Sequence, residues 1–294
     1  MDLIAGPFVS TADTLLTYLP LAHVFEFMFE NASLYWGTVM GYGNPKTISS
    51  ASTKNCAGDI AEFKPSILVG VPAIWETVRK GIVGKVNESG FVVKNMFWAA
   101  YAAKSFLMDC GLPGASILDA IVFKKVRQTT GGRLRLCLNG AAPIAKDTQR
   151  FISIVLAPVL GGYGLTETSA CAPFPSQLSQ LTHRSIGALC HPLEWTDNAL
   201  GSIPGCSDIK LVDFPEAGYF ATNNQGEIWI RGENVMGGYY DDPKQTFEAV
   251  TSDGWFKTGD IGEWDKNGHL KLIDRKKNLV KTRNGEYIAI EKAR

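Results

Sequence analysis

A parallel α/β sheet followed by a β-rich part is the fold class that three observations predict. Near-continuous apolar runs at residues 15–19, 67–71 and 134–138 have the make-up of strands buried on both faces. Helical stretches separate these runs, which returns each strand in the same direction as the last. From residue 209 onward the texture changes to short alternating runs divided by Gly, Asn and Asp, the pattern of antiparallel strands.

Each element has its own justification. Residues 15–19 read as a buried strand that Pro20 closes, and residues 22–39, mostly apolar and free of proline, read as a buried helix. The run GYGNP at 41–45 ends it. A short helix is expected at 56–63, a β-branched strand at 67–71, and a helix at 72–86 that opens with Pro72 in its first turn. Helices are expected at 93–108 and 115–129, a strand at 134–138, a helix at 146–155, and an apolar strand over 154–160 that feeds a glycine-rich loop. Strands at 209–213, 227–231 and 269–273 belong to the later, antiparallel part. In a parallel sheet of this kind, ligands bind beyond the carboxyl ends of the strands.

Composition narrows the class of partner. The chain has 294 residues, 45% of them hydrophobic, enough to bury a sizeable core. Its 29 Lys and Arg balance its 29 Asp and Glu, so no overall field favours nucleic acid. The six cysteines are scattered without a C-x-x-C pair, which indicates neither a zinc site nor a disulfide framework and fits a reducing compartment. No stretch reaches the roughly 18 apolar residues of a membrane span, so any membrane association is expected to be peripheral.

Four stretches carry chemistry. Residues 161–170 read GGYGLTETSA: Gly161, Gly162 and Gly164 let a backbone come close to a ligand, Thr166, Thr168 and Ser169 supply hydroxyls, and Glu167 supplies one carboxylate. Such a set suits a triphosphate with its metal. Backbone N–H and hydroxyl groups donate to phosphate oxygens, Glu167 serves as a hard ligand for Mg2+, and the Tyr163 ring offers a face for a base. By themselves these residues fit a plain turn equally well. Gly140, Ala141 and Ala142, at a strand's carboxyl end, leave room for a flat ring, or form an ordinary strand-to-helix turn. Asp260, closing DGWFKTGD, is a lone carboxylate after a glycine that can accept both hydroxyls of a ribose, or make an Asx turn. The run LIDRKKNLVK at 272–281 is by composition a solvated basic face. His23 precedes an apolar helix, the usual place of a capping or core histidine.

Taken together, these stretches carry a resemblance. YGLTE resembles the signature of the adenylate-forming superfamily (acyl-CoA synthetases, luciferases, peptide-synthetase adenylation domains), and GAAP, GWFKTGD and the DRKKNLVK run resemble its further motifs in the same order. The segments FENASLYWGTVMGYGNPKTIS, KPSILVGVPAIWETVRKGIV and LIDRKKNLVKTRNGEYIAIEK are similar to long-chain fatty acyl-CoA synthetases, most of all those of fungi. The resemblance covers nearly the whole chain. It implies a partial adenylate-forming fold, with ATP, Mg2+, coenzyme A and a fatty acid as ligands, and an intracellular place in the cytosol or on the surface of the endoplasmic reticulum, lipid droplets or peroxisomes.

The resemblance also implies roles. Gly140, Ala141 and Ala142 cradle adenine, with Tyr163 and Gly164 beside the nucleotide; Thr166 meets phosphate and Glu167 the metal. Asp260 and Arg275 hold the ribose, Lys277 is the pivot of a hinge, Lys281 comes near the thioester step, and His23 sits by the acyl carboxylate. The expected division is an α/β part of the large domain over 1–208, its β-rich subdomain over 209–273, and the hinge with the start of a small domain over 274–294. An adenylating enzyme for another carboxylic acid is the rival reading.

Three departures from the family pattern stand out. No Gly/Ser/Thr-rich phosphate loop precedes Leu15, the late lysine used in adenylation is not found before Arg294, and residues 171–185 interrupt the run into Gly187. They lead to the expectation of an inactive fragment, with 171–185 either an unspliced intron or a disordered excursion.

Overall fold

Five parallel strands make the first sheet: β1 (Thr14–Thr17), β2 (Val39–Tyr42), β3 (Ile67–Gly70), β4 (Leu136–Asn139) and β5 (Val159–Gly161), in the order β2-β1-β3-β4-β5. The computed structural model describes residues 9–50, 52–142, 144–170, 199–201, 207–266, 268–281 and 287–289. Strands β1, β3 and β4 are buried at every residue, as their unbroken apolar runs require. Edge strand β2 exposes Val39 and Tyr42.

The helices between these strands are α1 (Val24–Trp36), α2 (Asp59–Phe63), α3 (Pro72–Glu88), α4 (Phe91–Asp109), α5 (Ala115–Leu118), α6 (Lys124–Gln128) and α7 (Lys146–Val155). Two differ from the sequence reading. The helix expected through residue 39 stops at Trp36, where Gly37 caps it by donating its N–H to Leu34 O and Thr38 donates to Ser33 O. Val39 to Tyr42 then pair with β1 instead, because the sheet edge offers backbone partners that a longer helix would leave unmet. The helix expected over 115–129 is broken by a π-helical turn, Asp119–Phe123. Asp119 there bonds the buried Lys104 ammonium and pairs with Arg127, while Lys104 also donates to Ile154 O. In the same way the apolar run 154–160 divides between the end of α7 and β5.

A clasp ties three strands together at their amino ends. Arg135 donates from Nε and Nη2 to the two carboxylate oxygens of Asp13, at 2.8 and 2.6 Å, and Ser66 Oγ donates to Asp13 Oδ1 at 2.7 Å. Burial would raise the Asp13 pKa, but these bonds and the Ser10 N–H outweigh it and hold the carboxyl at about 2. The helical core lies around Trp75 and Phe123, with Phe97 edge-on to Phe123 at 5.5 Å between ring centres.

The chain divides into two units by contact. Among the described residues, the first ends at Gly161; the second holds residues 162–170 and everything from 199 on. The second unit is an antiparallel sheet of β6 (Ala199–Gly201), β7 (Ser207–Val212), β8 (Gln225–Gly232), β9 (Phe256–Trp264) and β10 (Leu270–Arg275), ordered β6-β10-β9-β8-β7. A short helix, α8 (Pro243–Ala249), connects β8 to β9, and β11 (Leu279–Lys281) pairs with β12 (Tyr287–Ala289). Its core gathers Leu211, Ile228, Ile230 and Leu270 around Tyr163. A parallel sheet with helices and a separate antiparallel sheet are the architecture predicted from sequence. Residues 171–185 lie outside the described residues. No described helix is long and apolar enough to cross a membrane.

Candidate functional site

The loop after β5 belongs to the second unit, where its side chains meet the antiparallel sheet. Tyr163, which is buried, donates its hydroxyl to Asp260 Oδ2 at 2.7 Å. Burial and the Asp260 carboxylate together push the phenol pKa well up, so Tyr163 stays protonated and acts as a donor. Its ring is part of the core. Gly164 packs against the Ala170 backbone, and the loop closes on itself through Ala170 N–H to Leu165 O at 3.0 Å and Leu165 N–H to Thr168 Oγ1 at 3.0 Å. That closure buries Thr168 and leaves Thr166 exposed, with Glu167 half-buried beside it.

Asp260 sits on β9 directly across from Arg275 on β10, with Arg275 Nε 3.5 Å from Asp260 Oδ1. Thr258 fixes the strand locally: its hydroxyl donates to Ile228 O at 2.7 Å and accepts from Asp260 N–H at 3.1 Å. Burial raises the Asp260 pKa, and Tyr163, Arg275 and Lys277 oppose that rise. An ionised carboxylate has about four lone-pair positions. Tyr163 and Arg275 engage one on each oxygen, so each oxygen keeps capacity for a further donor such as a ribose hydroxyl. Lys277 lies exposed in the short 3-10 turn Lys276–Asn278. Lys281 closes β11, and its side chain lies outside the described residues.

Glu167 has a partner that the sequence reading missed. Tyr239 donates its hydroxyl to Glu167 Oε1 at 2.9 Å, and burial and then Glu167 raise the phenol pKa. The two loops are joined further by Met236 N–H to Glu167 O at 2.8 Å, Ser169 Oγ to Asn234 O at 3.1 Å and Asn234 Nδ2 to Thr168 O at 3.3 Å. The available signal was the run GGYYDDP at 237–243, two glycines before a capped helix, which marks a constrained loop. The second oxygen of Glu167 makes no hydrogen bond or ion pair with the described residues. No cluster of three or more His, Cys, Asp and Glu exists among them. One half-exposed carboxylate fits Mg2+, which is commonly held by one or two carboxylates with the rest of its shell from phosphate and water.

In the first unit, His23 caps α1: its Nδ1 accepts from Phe25 N–H at 3.2 Å, and the imidazole is exposed. This is the capping role open to a histidine at that position. Phe25, two residues on, packs against Gly140, where an added Cβ would come within 2.3 Å of the ring. Ala141 adopts a left-handed backbone, φ 66°, and Asn139 Nδ2 donates to Ala142 O at 3.0 Å, so the turn after β4 is held from its own strand. Asn139 Oδ1 is buried without a hydrogen bond among the described residues. Glu26 is buried too, and burial with the nearby Glu30 pushes its pKa up to about 7 against the Tyr18 and Leu19 N–H groups.

Known proteins resemble this chain in sequence and fold. The family model described as AMP-binding enzyme matches residues 3–240. Over 285 residues the chain is 51% identical to long-chain-fatty-acid–CoA ligase 1 of Saccharomyces cerevisiae, covering 97% of this chain and 39% of that protein. It is 52% identical over 289 residues to the palmitoyl-CoA ligase FUM16 of Gibberella moniliformis, covering 97% and 40%. The chain thus spans about two fifths of the length of these relatives. Among solved structures, the A domain of carboxylic acid reductase from Segniliparus rugosus, in complex with AMP and a co-purified carboxylic acid, matches with TM-score 0.63 and 25% identity over 95% of this chain and 37% of that one. An ATP-bound RpMatB-BxBclM chimera matches in fold, with TM-score 0.65 and 22% identity over 98% and 45%.

Proposed function

Because the chain belongs to the AMP-binding enzyme family, we propose that it serves the ATP-dependent activation of a long-chain fatty acid to its coenzyme A thioester. The observation that carries this reading is the buried Asp260 carboxylate, oriented by Tyr163 and faced by Arg275, with acceptor capacity left for the two hydroxyls of a ribose. The names of the yeast and Gibberella relatives support the choice of a long-chain acid.

The reaction has two displacements. The fatty acid carboxylate attacks the α-phosphorus of ATP, forming acyl-AMP and releasing pyrophosphate. The coenzyme A thiolate then attacks the acyl carbon, and AMP leaves with the electron pair of the broken C–O bond. No protein nucleophile is required, so the residues bind and orient. In the second unit Asp260 and Arg275 hold the ribose, Thr166 donates to phosphate, and Glu167 holds Mg2+. The metal supplies charge neutralisation on the phosphates. By the family resemblance, Gly140, Ala141 and Ala142 are the proposed adenine residues and His23 the proposed neighbour of the acyl carboxylate. Lys277 is the pivot of a hinge that opens residues 274–294, and Lys281 serves the thioester step. The protein acts inside the cell, with peripheral association as its expected mode of contact with a membrane.

The test is a panel of acids assayed for ATP-, Mg2+- and coenzyme A-dependent product, with AMP binding measured by calorimetry. Preference for long-chain fatty acids supports the reading. Preference for an aryl or amino acid reassigns the substrate, and absence of any adenine nucleotide binding removes the reading.

A further inference from the structure

We propose that Tyr239 is the positioning residue for Glu167: its hydroxyl holds Oε1 so that Oε2 is presented to a divalent cation arriving with the nucleotide. This rests on the nucleotide-activating reading above. A glutamate on a loop has three rotatable side-chain bonds, and a metal ligand that must first be ordered binds more weakly by that ordering cost. A single hydrogen bond from a fixed donor removes much of it. The donor is also neutral, so the carboxylate keeps its full charge for the cation. An arginine or lysine in the same place would compete with the metal.

Tyr239 is itself fixed from several directions. Its N–H donates to Thr246 Oγ1 at 2.8 Å, and that hydroxyl donates to Asp242 O at 2.8 Å. Asp242 in turn caps α8, accepting at Oδ1 from Gln245 N–H at 2.9 Å. The preceding Gly238 has φ 150°, and a Cβ there would lie 2.9 Å from Thr246, so the approach of this loop to α8 depends on glycine. On the other side, Met236 N–H fixes the Glu167 carbonyl at 2.8 Å. Backbone and side chain of Glu167 are therefore both held by the segment 236–239. Among the described residues the structure thus has a carboxylate with one oxygen engaged by an anchored phenol and one left over, the arrangement by which outer partners orient metal ligands.

The experiment measures the affinity of a non-hydrolysable ATP analogue for the 294-residue chain, with saturating Mn2+ and with EDTA. The ratio of the two affinities is the metal's contribution. Tyr239→Phe is expected to lower that ratio about tenfold, while affinity in EDTA and the thermal midpoint stay near those of the unsubstituted chain. In a Glu167→Gln background, Tyr239→Phe is expected to change the ratio no further, since its action runs through Glu167. An unchanged ratio in Tyr239→Phe overturns the inference, as does an equal loss with and without metal, which would make the contact a loop staple. An additive loss in the double variant overturns it as well. If the unsubstituted chain binds the analogue but shows no metal dependence, Glu167 is not a metal ligand and the inference fails while adenine nucleotide binding stands. If it binds no analogue under either condition, the nucleotide-activating reading itself fails and takes this inference with it.

Discussion

Arg275 faces Asp260 across the β9–β10 ladder, its Nε 3.5 Å from a carboxylate whose other oxygen accepts from the buried Tyr163 hydroxyl. Asp260→Ala is expected to lose two ribose hydrogen bonds, each worth about 1.5–3 kcal/mol, and to weaken AMP binding at least tenfold by calorimetry. The same change leaves the Tyr163 hydroxyl buried without its acceptor, so Tyr163→Phe in the Asp260→Ala background is the control for fold. AMP affinity unchanged in Asp260→Ala removes Asp260 from the ribose site.

Glu26 is expected to cost the protein stability at neutral and higher pH. Its carboxyl titrates at about 7 in the folded chain against an ordinary 4.5, so the folded state holds the proton more tightly than the unfolded one. Stability then falls as pH rises from 4.5 through 7. Glu26→Gln is expected to be more stable than the unsubstituted chain at pH 8 by up to about 2–3 kcal/mol, with the difference fading toward pH 4.5. Urea unfolding at both pH values measures it; a parallel pH dependence in both proteins contradicts the assignment.

Asp13 carries the opposite sign. Its carboxyl is held at about 2 against an ordinary 3.8, so the clasp with Arg135 contributes fully above pH 3.8 and is lost as pH falls toward 2. Because the Arg135 side chain is partly exposed, the contribution is on the order of 1–2 kcal/mol. Asp13→Asn is expected to unfold at lower urea at pH 6 and to converge with the unsubstituted chain near pH 2. Equal midpoints at pH 6 would falsify the clasp.

Gly140→Ala places a methyl 2.3 Å from the Phe25 ring, at the start of the helix that His23 caps. Overpacking of this kind costs about 1–3 kcal/mol, and a thermal midpoint lowered by several degrees is expected. Gly140→Ala with Phe25→Leu is expected to recover part of the loss, since the smaller side chain makes room. No recovery would locate the strain elsewhere.

Some of this protein is legible because its signals are local. Strands such as Ile67–Gly70 announce themselves by an unbroken apolar run, and Pro72 in a first turn marks the helix that follows. Gly164, Thr166, Glu167 and Asp260 stand in short runs whose chemistry can be weighed residue by residue, whereas the role expected of Arg275 comes from the family resemblance alone. His23, before an apolar stretch, left a capping and a core role open beside the pocket role that the resemblance implies, and the contact it makes is the cap.

By itself, then, the sequence determined the two kinds of sheet, most helix boundaries and where along the chain the polar groups named above stand, since periodicity and composition act over a few neighbouring residues. Tertiary structure alone decided what those groups meet. Val39 to Tyr42 became a strand through pairing with β1, where the local pattern reads as the end of a helix at Val39 and a breaker from Gly41. Glu167 met Tyr239 across 72 residues, Tyr163 met Asp260 across 97, and Asp13 met Arg135 across 122. Partners so far apart in the chain leave no mark in its local pattern, because their proximity arises only when the chain folds and buries the groups that must then find one another.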